Sequence, residues 1–515
     1  MSGIGLPIDR RSLLCGFAGS LAGAALTPFT LPSIARATTP ARELAVRSRV
    51  IEVQGRPATV FGIVDKAGHP GLDLYRSEGF HARLSNDSAE PTIIHWHGLT
   101  PPFGLDGNPL SQPPMAPGES ADYAFDLTHP GTNWMHSHFG LQEQLMLAAP
   151  LIVRDDAERG IDRQDVVLLL HDFSFTPPEE ILSQLVSGQA AHAGSGTAAM
   201  DMGMVRALAS GMDHAGMGHA MPGMDHGSGT QQAMAGMDHG NGHAMGAMDL
   251  NDVVFDAFLV NDRDLSDPEV VQIEHGGRVR LRVINAAAST NFWIDLGPVT
   301  GRLVAVDGRA VRPLAGQRFE IAMAQRLDIE LELPAEVAAL PILAQREGDR
   351  TRTGLVLTAP GARVERVASK AETVAPPVLL DLERRLVAAE QLAERAYDRR
   401  LATDLTGSMM PYAWSLDGRG FADRVPLEVR EGERVELTFV NRTMMSHPMH
   451  LHGHHFQVVG LASARLKGAM RDTVLVPAMG SVTIAFDADN PGDWPLHCHN
   501  LYHMAAGMMT SLRYA

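Results

Sequence analysis

Short runs of apolar and β-branched residues, each closed by turn residues, recur along most of the chain. Ile93–His97, Val166–Leu170, Val253–Val260, Val279–Ile284, Ile329–Leu333, Val435–Val440 and Val482–Phe486 are examples. Gly276-Gly277 and Glu431-Gly432 punctuate them. Runs of this length with this punctuation predict strands packed as β-sandwiches. One stretch breaks the pattern. Val378–Ala402 lacks Pro and Gly and follows Pro376-Pro377, which predicts a helix joining two domains. With 515 residues the chain is long enough for three or four domains. Its 50 Gly, 32 Pro and 5 % aromatics suit many short strands better than long helices.

Charge and cysteine usage narrow the partners. A formal charge of −17 argues against nucleic acid or an anionic membrane surface and favours cations. Residues 1–37 read as an export signal: the pair Arg10-Arg11, an apolar run Leu13–Leu26 and the small-residue pattern Ala35-Arg36-Ala37. That run is too short to span a bilayer as a stable anchor. The expectation is Tat-dependent export to the periplasm. Cys15 would leave with the signal, so Cys498 is the one cysteine of the mature chain and has no internal disulfide partner. Residues 194–248 differ again, with eleven Met, five His and Met-Asp-His at Met212, Met224 and Met237. Lacking strand and core residues, this segment predicts a mobile insert.

Four motifs carry the chemistry: His95-Trp96-His97, His136-Ser137-His138, His447-Pro448-Met449-His450-Leu451-His452, and His497-Cys498-His499 followed by His503 and Met508. In a strand, residues i and i+2 share a face roughly 6.5–7 Å apart, a spacing that suits neighbouring metals better than one. Four such pairs predict the lining of a multinuclear cluster. The same alternation turns Cys498 away from His497 and His499, toward a second site. A thiolate, two imidazoles and an axial thioether make a blue-copper site, and Cys498, His447, His503 and Met508 supply them. One such pair alone is weak evidence and a lone His447 or Met508 is ordinary core. A closed four-ligand zinc site would leave most of these histidines without a role.

These motifs, in this order and at these separations, resemble those of the multicopper oxidases. The resemblance implies an all-β fold of three cupredoxin-like Greek-key β-sandwich domains, placed here at 42–157, 158–370 with the 194–248 insert, and 406–515, with a linker at 371–405. It implies four copper ions. His447, Cys498, His503 and Met508 would hold type 1 copper, and His95 and His450 type 2. His97, His136, His138, His452, His497 and His499 would hold the type 3 pair. Asp106, in an Asp-Gly turn, stands where the family keeps an acid that delivers protons to reduced oxygen. Gln142-Glu143-Gln144, Tyr502-His503-Met504, the Met/His insert and the twin arginines are similar to the bacterial copper-resistance type. Where several relatives carry glutamate directly after the residue matched by His503, this chain has Met504. The activity implied is one-electron oxidation of a substrate, Cu(I) foremost, coupled to four-electron reduction of dioxygen, for copper tolerance. Laccase-like oxidation of phenols and copper sequestration without catalysis are the competing readings. His129, His171 and His275 read as structural or exposed.

Overall fold

Alternation decides the architecture. In Phe80–Asn86, Phe80, Ala82 and Leu84 point inward; in Arg434–Asn441, Val435, Leu437 and Phe439 do. A sheet with one such apolar face is stable only when a second sheet covers it. The structure, a computed structural model, describes residues 40–188, 250–334 and 336–515. The strands form sheets that pair as three sandwiches. The export signal at 1–37 and the Met/His segment at 194–248 lie outside the described residues. Among the described residues no helix is long and apolar enough to cross a membrane.

One strand order is used three times. The sheets of the first sandwich run Arg56–Asp65, Arg42–Val53, Phe80–Asn86, Ser120–Phe125 and Leu72–Tyr75, Ala148–Arg154, Gly131–Ser137, Ile94–His97. Each contains one parallel pair, Arg42–Val53 with Phe80–Asn86 and Leu72–Tyr75 with Ala148–Arg154. The second sandwich repeats both pairings with Gln164–Phe173 beside Arg278–Asn285 and Val270–Gln272 beside Arg352–Thr358. The third uses Arg399–Met409 beside Arg434–Asn441 and Leu427–Val429 beside Met509–Tyr514. This is the all-β, cupredoxin-like architecture that the strand pattern and the motifs predict. Ile94, Trp96, Met135 and Leu151 belong to the first core, and one apolar cluster runs through the second and third.

The helix expected over Val378–Ala402 does not form. A single 3-10 turn, Glu383–Arg385, and the start of the strand Arg399–Met409 are its only regular structure. Tertiary partners outbid helix propensity here. Buried Glu347 and Glu320 accept the backbone N–H groups of Val378 (2.7 Å) and Leu382 (2.8 Å). Leu380, Leu382 and Leu386 are buried. Ala388 and Ala389 donate to the carbonyls of Gly468 and Ala310. The segment is an extended strap whose hydrogen bonds go to both the second and the third sandwich.

Candidate metal centre

The sequence motifs lie on strands buried on both faces. In Ile94–His97, Ile94 and Trp96 enter the first core, so His95 and His97 must face the other way. The antiparallel register with Gly131–Ser137 sets His95 opposite His136. In the third sandwich, His447–Leu451 and Asp493–Cys498 pair with His450 opposite His497 and Met449 opposite Cys498. Met449, Leu451, Leu496 and Cys498 face their own core. His450, His452, His497 and His499 leave by the opposite face and meet the histidines of the first sandwich. The surface each sandwich would otherwise have to solvate is filled by imidazole.

Eight imidazoles converge there. His97, His136 and His499 form one trio and His138, His452 and His497 another, each with donor atoms within 4.8 Å of one another. His95 and His450 join His97 in a third group. The outward nitrogens of six are engaged, those of His95, His97, His136, His450, His452 and His497. His95 Nδ1 lies 3.0 Å from the Asp106 carbonyl, His450 Nδ1 2.9 Å from that of Asp472, and His497 Nδ1 2.9 Å from that of Cys498. His97 is turned over, its Nε2 lying 3.1 Å from Asp472 Oδ1. The inward atoms, Nε2 of His95, His136, His450 and His499 and Nδ1 of His97, are buried without a hydrogen-bond partner. Nε2 atoms of His138, His452 and His497 approach to 3.0–3.4 Å. Burial, then neighbouring imidazoles, hold His97, His136, His138, His450, His452 and His499 well below the usual histidine range. Burial also brings His497 down to about 4. Neutral rings with lone pairs aimed at one another repel unless a cation lies between them, and fixed outward N–H groups are the usual support of ligating histidines. This donor set fits copper.

The second site lies behind the Cys498 strand. His447 Nδ1 and His503 Nδ1 are 3.0 Å apart and each is 3.7 Å from Cys498 Sγ. Asn500 caps the short helix Leu501–Ala505, accepting from the N–H groups of Tyr502 and His503 and so fixing where His503 emerges. Thr443 Oγ1 lies 2.7 Å from His447 Nε2, and Asp252 Oδ2 2.7 Å from His503 Nε2. Met508 is fully buried, and its carbonyl accepts the Cys498 N–H at 3.0 Å. Burial pushes the Cys498 thiol upward, so the thiolate needs a cation beside it. Eleven of the twelve predicted ligands therefore group at one of two adjoining sites, and Met508 reaches the second through its backbone bond to Cys498.

Asp106 is fully buried beside the cluster, its Oδ2 2.8 Å from His452 Nδ1 and 3.3 Å from His95 Nδ1. Gly107 makes this possible. Its φ is +84°, and a Cβ there would come 1.8 Å from the Ile94 carbonyl oxygen. Sequence reasoning gave no role to three further groups. Glu143 Oε2 lies 2.8 Å from His136 Nδ1. Asp472 touches His97 and pairs with buried Arg326 (2.7 Å). Asp252 backs His503 and accepts from Tyr412. Adjacency to the second motif marks Glu143; nothing in the sequence marks Asp472 or Asp252. His454 is buried and bonded to Tyr514 (2.6 Å), His171 is buried, and His275 is exposed.

Fold and site together define a redox protein with a thiolate metal position joined by peptide bonds to an imidazole cluster. Residues 45–158, 226–359 and 395–515 match family models described as multicopper oxidase. The chain is 30 % identical over 442 residues to multicopper oxidase MmcO of Mycobacterium tuberculosis, covering 84 % of this chain and 78 % of the relative. It is 25 % identical to copper resistance protein A of Escherichia coli over 99 % of each. The laccase of Botrytis aclada superposes with a TM-score of 0.69 at 20 % identity, covering 93 % and 89 % of the chains. The chain belongs to the multicopper oxidase family. It is a copper-dependent oxidoreductase that uses four coppers, one type 1, one type 2 and two type 3, to couple substrate oxidation to reduction of dioxygen.

Proposed function

We propose that the substrate is Cu(I) and that the enzyme serves copper tolerance in the periplasm, reached by the Tat route. One observation carries this reading: exposed thioethers stand in the segments that lead into the thiolate site. Met444, three residues before His447, is 82 % exposed, and Met410, two residues before Tyr412, is 78 % exposed. Tyr412 leads through Asp252 to His503. Thioethers are soft, uncharged donors that suit Cu(I) and hold Cu(II) poorly. The described residues flanking the Met/His segment end at the same place. Gly188 lies beside Met410, and Asp252 touches His503. A tether rich in weak sites and anchored there raises the effective concentration of its cargo at the port.

In this reading His447, Cys498, His503 and Met508 hold type 1 copper. His95 and His450 hold type 2, and His97, His136, His138, His452, His497 and His499 hold the type 3 pair. When bound, the coppers supply one-electron acceptance at the first site and dioxygen reduction at the cluster. The chain supplies the connection: Cys498 is covalently continuous with His497 and His499. Asp106 holds the outward nitrogens of His452 and His95 and is the residue we assign to deliver protons at the cluster edge. This reading takes the domains as 42–157, 158–370 and 406–515, although the strand Arg399–Met409 extends the third sandwich ahead of 406.

Oxygen uptake by the copper-loaded protein, with Cu(I) or a phenol as donor, tests the substrate. Deleting Gly194–Met248 should lower Cu(I) oxidation at low free copper and leave phenol oxidation equal or higher. Preference for the phenol in both forms would assign laccase-like activity. Copper binding without oxygen uptake would assign sequestration.

A further inference from the structure

Three buried carboxylates back the cluster, and each joins one histidine of the first sandwich to one of the third. Asp106 Oδ2 takes His95 (3.3 Å) and His452 (2.8 Å). Asp472 Oδ1 takes His97 (3.1 Å) and His450 (3.8 Å). Glu143 takes His136 through Oε2 (2.8 Å) and His499 through Oε1 (3.7 Å). The first two have partners of their own. Asn108 donates to Asp106 (2.6 Å), and Arg326 forms a two-point pair with Asp472. Glu143 has none: among the described residues no Lys or Arg pairs with it, Oε1 accepts no hydrogen bond, and the side chain is 2 % exposed. Its neighbouring acid, Asp172, is engaged by the N–H groups of Ala288 and Ser289 and gives it no relief.

A buried carboxylate without a cation is costly unless a cation is supplied from outside the polypeptide. Both histidines that Glu143 touches belong to one trio, His97, His136 and His499. We infer that Glu143 is a positioning residue for the single metal position formed by that trio. Its Oε2 holds His136 of the first sandwich at 2.8 Å, its Oε1 faces His499 of the third from 3.7 Å, and an ion held between their Nε2 atoms offsets its charge. This rests on the copper reading above and adds to it a residue whose benefit exists only in the metal-loaded protein. The placement of Glu143 accounts for the choice: Gln142 and Gln144, its neighbours, spend their side chains on Thr92, Ser137 and Asp172, away from the cluster.

The test compares the near-isosteric Glu143→Gln and the apolar Glu143→Leu with the parent chain, copper-free and copper-loaded. Loss of an outer partner of a ligating histidine typically weakens metal binding 10- to 100-fold. One copper per chain should therefore leave about 10- to 100-fold more readily under a competing chelator. Electron paramagnetic resonance, blind to a coupled copper pair, should then register one more isolated Cu(II). The blue band of the Cys498 site should persist, since that site lies on the other face of the strand. Melting temperatures should cross, the variants matching or exceeding the parent when copper-free and falling below it when loaded. Parent-like retention of all coppers would overturn the proposal. So would an equal fall in both melting temperatures, or failure of both variants to accumulate as folded copper-free protein, since either places the cost on the fold rather than the metal. A parent chain that binds no copper would instead defeat the reading on which the proposal rests.

Discussion

Replacing Asp106 with Asn separates two roles proposed for it, holding His452 and delivering protons. The turn would persist, because Gly107, not the carboxylate, allows it. The amide oxygen takes the place of Oδ2 and keeps the bonds from His452 Nδ1 and Asn108 Nδ2. The amide nitrogen then falls where Oδ1 was, a buried position without a hydrogen-bond partner. Exchanging a charged acceptor for a neutral one costs the His452 contact about 1–1.5 kcal/mol, or roughly tenfold. Loss of a positioned proton donor costs about 10²–10⁴-fold in addition. Stopped-flow spectroscopy resolves the two half-reactions. Anaerobic bleaching of the blue colour by substrate should be unchanged, because Asp106 touches no group at the Cys498 site. Reoxidation by dioxygen should slow by more than about 100-fold if Asp106 delivers protons, and only about tenfold if it merely orients His452. Reoxidation at the parent rate would refute both and leave Asp106 as a turn residue.

Other consequences are equally direct. Cys498→Ser should abolish the blue colour and turnover while the cluster histidines keep their copper, as metal analysis would show. Met508→Leu should raise the type 1 potential in a redox titration and keep the band, since an axial thioether lowers the potential relative to a non-ligating side chain; a vanished band in folded protein would remove Met508 from the ligand set. Burial raises the Glu347 carboxyl from 4.5 to about 7. A raised folded value means the protonated fold is favoured, so this stability is complete below about pH 4.5 and is lost as pH rises through about 7. It amounts to about 3 kcal/mol. Glu347→Gln should flatten the melting temperature of the copper-free protein across that window. Arg326→Met would leave Asp472 buried and unpaired beside His97, at a cost of about 3–5 kcal/mol, read as a lower denaturation midpoint.

The parts legible in the sequence were those governed by local periodicity. The two-residue alternation of His497-Cys498-His499 puts Cys498 on the core face and its neighbours on the cluster face, as the strand Asp493–Cys498 bears out. Strand spacing likewise gave the sandwiches. What resisted reading depends on partners distant in the chain. Val378–Ala402 looks helical because nothing within it forbids a helix, yet Glu320 and Glu347 capture its backbone. Asp472 and Asp252 meet His97 and His503 only after the sandwiches dock, and neither stands within a recognisable motif. Glu143 was visible as part of Gln142-Glu143-Gln144, but its contact with His499 spans the chain.

The cluster is built from the two ends of the polypeptide. His138 meets His497 across 359 positions of sequence, and Asp106 meets His452 across 346. During synthesis the first sandwich emerges and folds as a unit long before its partners exist. Its four motif histidines then face outward, a metal-binding surface without its complement. Only when the strand Asp493–Cys498 and the short helix after it have been made can either site close. A chain cut before that strand keeps the first sandwich, loses a sheet strand of the third, and closes neither site. Filling of both sites therefore reports that the chain was made at least as far as His503.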